Sequence, residues 1–229
     1  MENNKKKSLI PKAALIKAWL IWETFPQTCY NYERMMGQVV AHMFSAIIGF
    51  LYKDDPSKRK EVMKREIEFF NVHIEFGSCI LGMAVALEEQ KAMGENIPGE
   101  FITNLKTSLM GPLAGMGDTI WQGVVIPILL AVCIDLTRSG SGNVWGAVIY
   151  AVVIVVAAYA LSYWNFMFGY KAGSEAIMDF LEKGILNKLI KGASIMGCMV
   201  MGGLIVNYVK VKCGLVIHTS GSDFSLQES

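Results

Sequence analysis

Residues 144–164 read VWGAVIYAVVIVVAAYALSYW. They lie inside a longer stretch, Ser139 to Tyr170, that holds no charged residue. A helix crossing the hydrocarbon core of a bilayer takes ~20 apolar residues, so this stretch is long enough to cross one. Trp145 at one end and Tyr163–Trp164 at the other stand where interfacial aromatics anchor a span. A soluble helical protein would have to bury the whole run in a small core.

The rest of the chain supports the membrane reading. Of its 229 residues, 53% are hydrophobic and 18% are charged, with a mean hydropathy of +0.38. A soluble domain carries about a quarter charged residues. Most of the charge precedes Asp118, which separates a polar, partly amphipathic first half from an apolar, glycine-rich second half. The net charge of +1 gives no electrostatic signature of nucleic acid or of an acidic substrate. Cys29, Cys79, Cys133, Cys198 and Cys213 form no CxxC, so neither a zinc knuckle nor a redox pair is signalled. The N-terminal MENNKKKSLIPKAALIKAW is basic and lacks a small-residue cleavage site. It reads as an interfacial helix, with Lys12 and Lys17 at the headgroups and Leu15, Trp19 and Trp22 deeper. Lys5–Lys7, Lys12 and Lys17 place this half on the cytoplasmic side.

Three further apolar stretches are short. Thr119–Leu136 is interrupted by Pro127, and Ile74–Leu87 contains Gly77 and Gly82. Ala193–Val209 carries Gly197 and Gly202–Gly203, which would let another backbone approach closely. Before the first of them stands SLMGPLAGMGDTIWQGVVIPILLA, 108–131, with Gly111, Gly115, Gly117, Pro112 and Asp118 at its entrance. The spacing is not GxGxxG, and no lysine–serine/threonine pair follows to make a phosphate loop. Two readings stay open. Asp118 is the N-cap of a helix that follows a loop, or the segment is broken or re-entrant at membrane depth. Irregular backbone is tolerated there only inside protein or along a cavity, and transporters place substrate sites at such breaks.

The charged segment 53–71 predicts a helix starting near Asp55–Pro56, with aspartate as N-cap and proline in the first turn. Val62, Ile67 and Phe70 form part of an apolar stripe, Glu61 and Arg65 an i,i+4 pair, and the charges a solvated face. Loops are expected at 91–99 and 137–143. His73-x-Glu75 lacks the PCxxC that a zinc deaminase needs, and no nucleophile–base arrangement is visible. In CYNYERMMGQ, 29–38, Glu33 and Arg34 are either an exposed pair of little value or a buried, partnered one.

NYERMMGQ at 31–38, EFFNVHIEFGSCILGMAVALEE at 68–89, SLMGPLAGMGDTIWQGVVIPI at 108–128 and KLIKGASIMGCMVMGGLIV at 188–206 occur in order. Together they resemble the IID membrane component of mannose-family (mannose/fructose/sorbose) phosphotransferase systems, from about Leu15 to Gln227. The resemblance implies a subunit of the bacterial inner membrane, multi-pass, that pairs with a IIC chain and assembles as pairs into a larger oligomer. It implies IIA and IIB phosphocarrier proteins as partners, a hexose-type sugar as cargo, no cofactor, and no phosphorylated histidine on this chain. Position by position, Asn31, Tyr32, Glu33 and Arg34 match the family's NYER. Asn71 and His73 match its F-N-x-H, and Gly111, Gly115, Gly117 and Asp118 fall in its GPLAG-x-GD. These residues other than Tyr32 are the candidates for the sugar path or for partner contact. The sequence departs from the pattern at Ile74, where proline is usual, at Gln122, where the tryptophan of a Trp-Gly pair is common, and at Ile126, where arginine is common. Relatives continue beyond the equivalent of FSLQES, 224–229, into another apolar segment, so the resemblance implies a truncated copy or a separately encoded tail.

The expectation is therefore an all-α polytopic membrane protein. Amphipathic helices occupy 1–107, and broken or re-entrant plus spanning helices occupy 108–229. The leading function is the IID subunit of a sugar importer, and the alternative is a non-transporting scaffold that retains IIC contact.

Overall fold

A computed structural model of the chain describes residues 8–138 and 144–183, with side chains as far as residue 173. It also describes positions 195 and 199 and two short strands. Lys5–Lys7, Cys198, Cys213, most of the 137–143 loop and nearly all of Ala193–Val209 lie outside the described residues.

The described chain is helical except at its end. The helices are α1 (Lys12–Thr24), α2 (Gly37–Ser45), α3 (Ile48–Leu51), α4 (Pro56–Glu66), α5 (Ile74–Ala92), α6 (Gly99–Gly117), α7 (Ile126–Arg138) and α8 (Trp145–Lys183). Between α6 and α7 the turns widen into a π-helix, Asp118–Val125. Strands β1 (Val216–Thr219) and β2 (Ser222–Ser225) pair antiparallel, Val216 opposite Ser225, a hairpin the sequence reading did not anticipate.

Local signals set several boundaries. Asp55 caps α4 by accepting a hydrogen bond from Lys58 N at 2.9 Å, with Pro56 at the first helical position. α5 stops where Gly94 takes φ 98° and Glu95 N reaches back to Gln90 O at 3.1 Å, a glycine-terminated helix end. The loop expected from 91 begins there.

Two helices are long and apolar enough to cross a membrane: the rod Gly99–Thr137, made of α6, the π-helix and α7, and Trp145–Gly173 of α8. At ~1.5 Å per residue, Trp145 and Trp164 are about 28 Å apart along α8, close to a bilayer core of ~30 Å. Both indoles are well exposed, as are Ile128, Val132, Val152 and Val156 on the facing arms. The arms meet beside the 139–143 connection, where a Cβ on Gly146 would lie 2.3 Å from Cys133 O. They then diverge, because α5 packs between α6 and α8. The result is a V with α5 as its wedge.

α5 and α8 run parallel and almost touch. Asn165 Nδ2 donates to Glu75 O at 3.1 Å. A Cβ on Gly82 would come 2.1 Å from Phe166 O, and one on Gly169 would come 2.0 Å from Cys79 O. Small residues that let backbones approach are the usual packing device of helices in lipid. Hydroxyls and indoles add a polar seam: Trp19 Nε1 donates to Ser162 Oγ (2.9 Å), Ser162 Oγ lies 2.7 Å from Ser78 Oγ, and Trp22 Nε1 donates to Ser78 Oγ (3.0 Å). This corrects the interfacial reading of α1. Leu15, Trp19 and Trp22 are buried in protein, not in lipid, and only the flank carrying Ile16 and Leu20 is exposed.

The charged run of α4 is likewise not wholly solvated. Arg65 and Glu66 are buried and meet Glu88 of α5 and Lys106 of α6. Arg65 Nε donates to Glu66 Oε1 (3.1 Å) and its Nη2 to Glu88 Oε2, while Lys106 Nζ donates to Glu66 Oε2 (2.7 Å). Tyr52 OH donates to the other Glu88 oxygen at 2.7 Å. Burial, then the Glu88 carboxylate, pushes that phenol's pKa up. Glu61 pairs with Lys91 (3.6 Å) instead of with Arg65.

Candidate functional site in the fork of the helical V

The N-terminus of α5 points into the fork. It carries no side-chain cap, and His73 precedes it in extended conformation. Opposite stands the π-helix. Pro112 removes one hydrogen-bond donor from α6, and Gly111, Gly115 and Gly117 lower its helical preference, so the rod gives way beside them. It stays continuous: the expected interruption is a change of helical register, not a loop. π-Turns inside α-helices recur at functional sites. Asp118 is therefore not an N-cap. It sits inside the rod with φ −59° and ψ −39°. Counting back along both arms from the Gly146 contact places it roughly level with Tyr163 and Trp164.

Between the two elements is a cavity of about 520 Å³. Asn71, His73 and Glu75 line it from the start of α5, and Asp118, Trp121 and Gln122 from the π-helix, with Gln27 at the edge. Its size falls within the ~300–1,000 Å³ of small-ligand pockets. Trp121 is turned inward and buried, whereas Asp118 and Gln122 are exposed to the opening. The His73 side chain is 5% exposed. Its Nδ1 lies 2.9 Å from Glu75 Oε2, within ion-pair distance though outside hydrogen-bond geometry. The ring is fixed by Phe76, edge-on at 5.7 Å, and by Gly117, where a Cβ would come 2.3 Å from His73 Cγ.

The nine candidate residues sort by position. Asn71, His73 and Asp118 converge on the cavity, and Gly117 makes room for the imidazole. Gly111 and Gly115 face open space and are not required by packing within this chain. Asn31, Glu33 and Arg34 lie outside the cavity wall, in a tight turn. Asn31 Oδ1 accepts from Glu33 N (3.1 Å) and Arg34 N (2.9 Å), and Met35 takes φ 50°. Within this chain Glu33 and Arg34 form a pair at 3.2 Å, Glu33 exposed and Arg34 partly so. The turn buttresses the site, because Met36 N donates to Phe70 O (2.8 Å) and Tyr30 OH to Asn71 Oδ1 (3.1 Å).

The sequence reading missed Glu75, Trp121 and Gln122 as lining residues, and it missed Glu23. The Oε2 of Glu23 is buried without a hydrogen-bond partner. Burial pushes this carboxyl up to about 7; Ser162 opposes, Glu75 adds, and His73 opposes. A carboxyl raised from 4.5 contributes stability that is complete below pH 4.5 and is lost as pH rises through about 7. The melting temperature of the purified protein should thus fall between pH 5 and 8, and Glu23→Gln should flatten that fall. An equal fall in the variant would remove Glu23 as its cause.

The sequence profile described as "PTS system mannose/fructose/sorbose family IID component" matches residues 9–229. The mannose-specific EIID component of Escherichia coli K12 is 37% identical over 193 residues, covering 83% of this chain and 66% of that protein. The chain thus spans just under two thirds of that relative's length. The fructose permease IID component of Bacillus subtilis 168 is 32% identical over 93% of this chain and 75% of its own. A chain in the cryo-EM structure of the mannose transporter ManYZ with microcin E492 superposes with a TM-score of 0.78 at 32% identity, covering 93% of this chain and 76% of that one.

Proposed function

The chain belongs to the IID components of the mannose/fructose/sorbose phosphotransferase-system family, and from that premise we propose that it is a membrane subunit of a sugar importer whose cargo is phosphorylated on arrival. A IIC chain completes the translocation unit. IIA and IIB phosphocarriers supply the phosphoryl group, and the protein sits in the inner membrane as a multi-pass subunit in an oligomer of IIC–IID pairs. In this reading residues 1–107 are the polar platform and 108–229 the membrane-embedded part.

The observation that carries the reading is the V. Two apolar arms stand apart with outward faces exposed and a polar cavity in their fork. Such exposed apolar arms are unfavourable in water and suit lipid or a partner helix. The test is phosphoenolpyruvate-dependent sugar uptake in cells that hold IIA, IIB and IIC, with and without this chain. Uptake should appear only with the chain, and equal uptake in its absence would refute the proposal. A non-transporting scaffold would instead co-purify with IIC and leave uptake at background.

A further inference from the structure

We infer that the outer groove between α1 and α8 binds an anionic phospholipid, with its phosphate between Lys12 and Lys171 and its acyl chains along Ile16, Leu20 and Tyr163. The inference needs the membrane spans and not the transport function.

α1 runs antiparallel to α8. Ser8 Oγ lies 3.2 Å from Tyr170 OH, Trp19 Nε1 donates to Ser162 Oγ, and Thr24 Oγ1 lies 3.4 Å from Tyr159 OH. Interpolating between these contacts sets Lys12 about level with Met167, and Ile16 about level with Trp164. The order of residues round each helix puts the proposed residues on one side. On α1, Trp22 faces α5 through Ser78 and Trp19 faces α8, and the next positions in that direction are Lys12 and Ile16. On α8, Gly169 faces α5 and Tyr163 faces α1, and the next are Met167 and Lys171. Lys12, Ile16, Leu20, Tyr163 and Lys171 are all exposed.

Charge and depth select the ligand. Neither lysine has an acidic partner among the described residues. Glu89, the carboxylate at the joint, is buried and already accepts from Ser8 Oγ (2.8 Å), Leu9 N (2.7 Å), Ile10 N (3.0 Å) and Tyr170 OH. At ~1.5 Å per residue, Lys171 stands ~39 Å from Trp145 along α8, close to the ~40–45 Å of a bilayer measured with its headgroups. Its side chain leans toward the N-terminus of α8, back toward the bilayer. Two ammonium groups beside an exposed apolar wall suit a ligand that is anionic at one end and apolar at the other. A zwitterionic lipid brings the chains without net charge, and inorganic phosphate brings charge without chains. The tryptophans of α1 pack on protein, but this flank keeps a lipid role. A lipid seated there braces from outside the joint that Glu89 clasps from inside.

The experiment titrates the chain, purified with its IIC partner in detergent, with palmitoyl-oleoyl phosphatidylglycerol or phosphatidylcholine. Native mass spectrometry counts the bound lipid. At least one site should take phosphatidylglycerol about tenfold or more tightly than phosphatidylcholine. Lys12→Gln and Lys171→Gln should each weaken that site about fivefold, the scale of one lysine at an anionic surface. Lys60→Gln, on the exposed face of α4, should leave it within about twofold. Equal affinity for the two lipids, or wild-type affinity in the double variant Lys12→Gln with Lys171→Gln, would overturn the inference. Displacement of the lipid by inorganic phosphate would overturn it too, by showing a site for the anion alone. Loss of IIC from the double variant with the lipid preference intact would assign the groove to IIC instead.

Discussion

Gly169→Val is expected to abolish stable accumulation of the protein. The added Cβ would fall 2.0 Å from the Cys79 carbonyl oxygen, where ordinary contact needs at least 3.4 Å. The obstacle is the backbone of α5, which cannot rotate away as a side chain can. Overpacking usually costs ~1–3 kcal/mol. Here α5 and α8 must separate along their whole shared length, so the loss should exceed that range and open the polar seam of Trp19, Ser162 and Ser78. Gly82→Val should behave alike, because its Cβ would meet Phe166 O at 2.1 Å. Gly49→Ala is the control, since no atom lies within 4 Å of a Cβ there. Membrane abundance and the melting temperature of the detergent-purified protein give the readout. Wild-type abundance of Gly169→Val would show that the two helices do not depend on their close approach.

Lys106→Ala should be the next most damaging change, at about 3–5 kcal/mol, the usual cost of stranding one member of a buried ion pair. The four buried charges Arg65, Glu66, Glu88 and Lys106 sum to zero, and removing the lysine leaves Glu66, itself fully buried, with Arg65 alone. Glu66→Ala should cost a similar amount for the converse reason. The informative variant is the double replacement Glu66→Leu with Lys106→Met. It removes one charge of each sign and keeps Arg65 on Glu88, so it should be clearly more stable than either single variant. Thermal unfolding of all three would decide this, and simple additivity would disprove the network.

What the sequence revealed follows the range of the interactions involved. The span at 144–164, the Asp55–Pro56 helix start and the glycine stop at Gly94 are local effects, and each could be read within a few residues. The ion network joins α4, α5 and α6 across up to 40 positions, and no window on the sequence brings Glu66 near Lys106. One trace of it was visible, the acidic Glu88 following the apolar run of α5, but an acid at a helix end is ordinary. The cavity was half legible. Asn71, His73 and Asp118 belong to blocks singled out for their resemblance, yet nothing in the spacing says that they meet. The place of Gln122 and Trp121 in the cavity wall went unseen because the direction of a side chain depends on the helical register, and the π-helix shifts it. Glycine and proline announce a weak helix without deciding between a loop, a kink and a wider turn. Asn31, in another such block, accepts two hydrogen bonds within its own turn, a local role that its neighbours in sequence do reveal.

The parallel contact of α5 with α8 fixes an order of events during synthesis. Ile74–Ala92 leaves the ribosome long before its partner, Asn165 to Gly173, which is the last part of the second arm to be made. Until then Gly82 and its neighbours have no backbone against them. The contact of α5 with α8 is therefore completed last, once residue 173 is released. A chain interrupted between residues 138 and 165 would hold a formed first arm and an uncovered α5, the state that a membrane protease is best placed to remove.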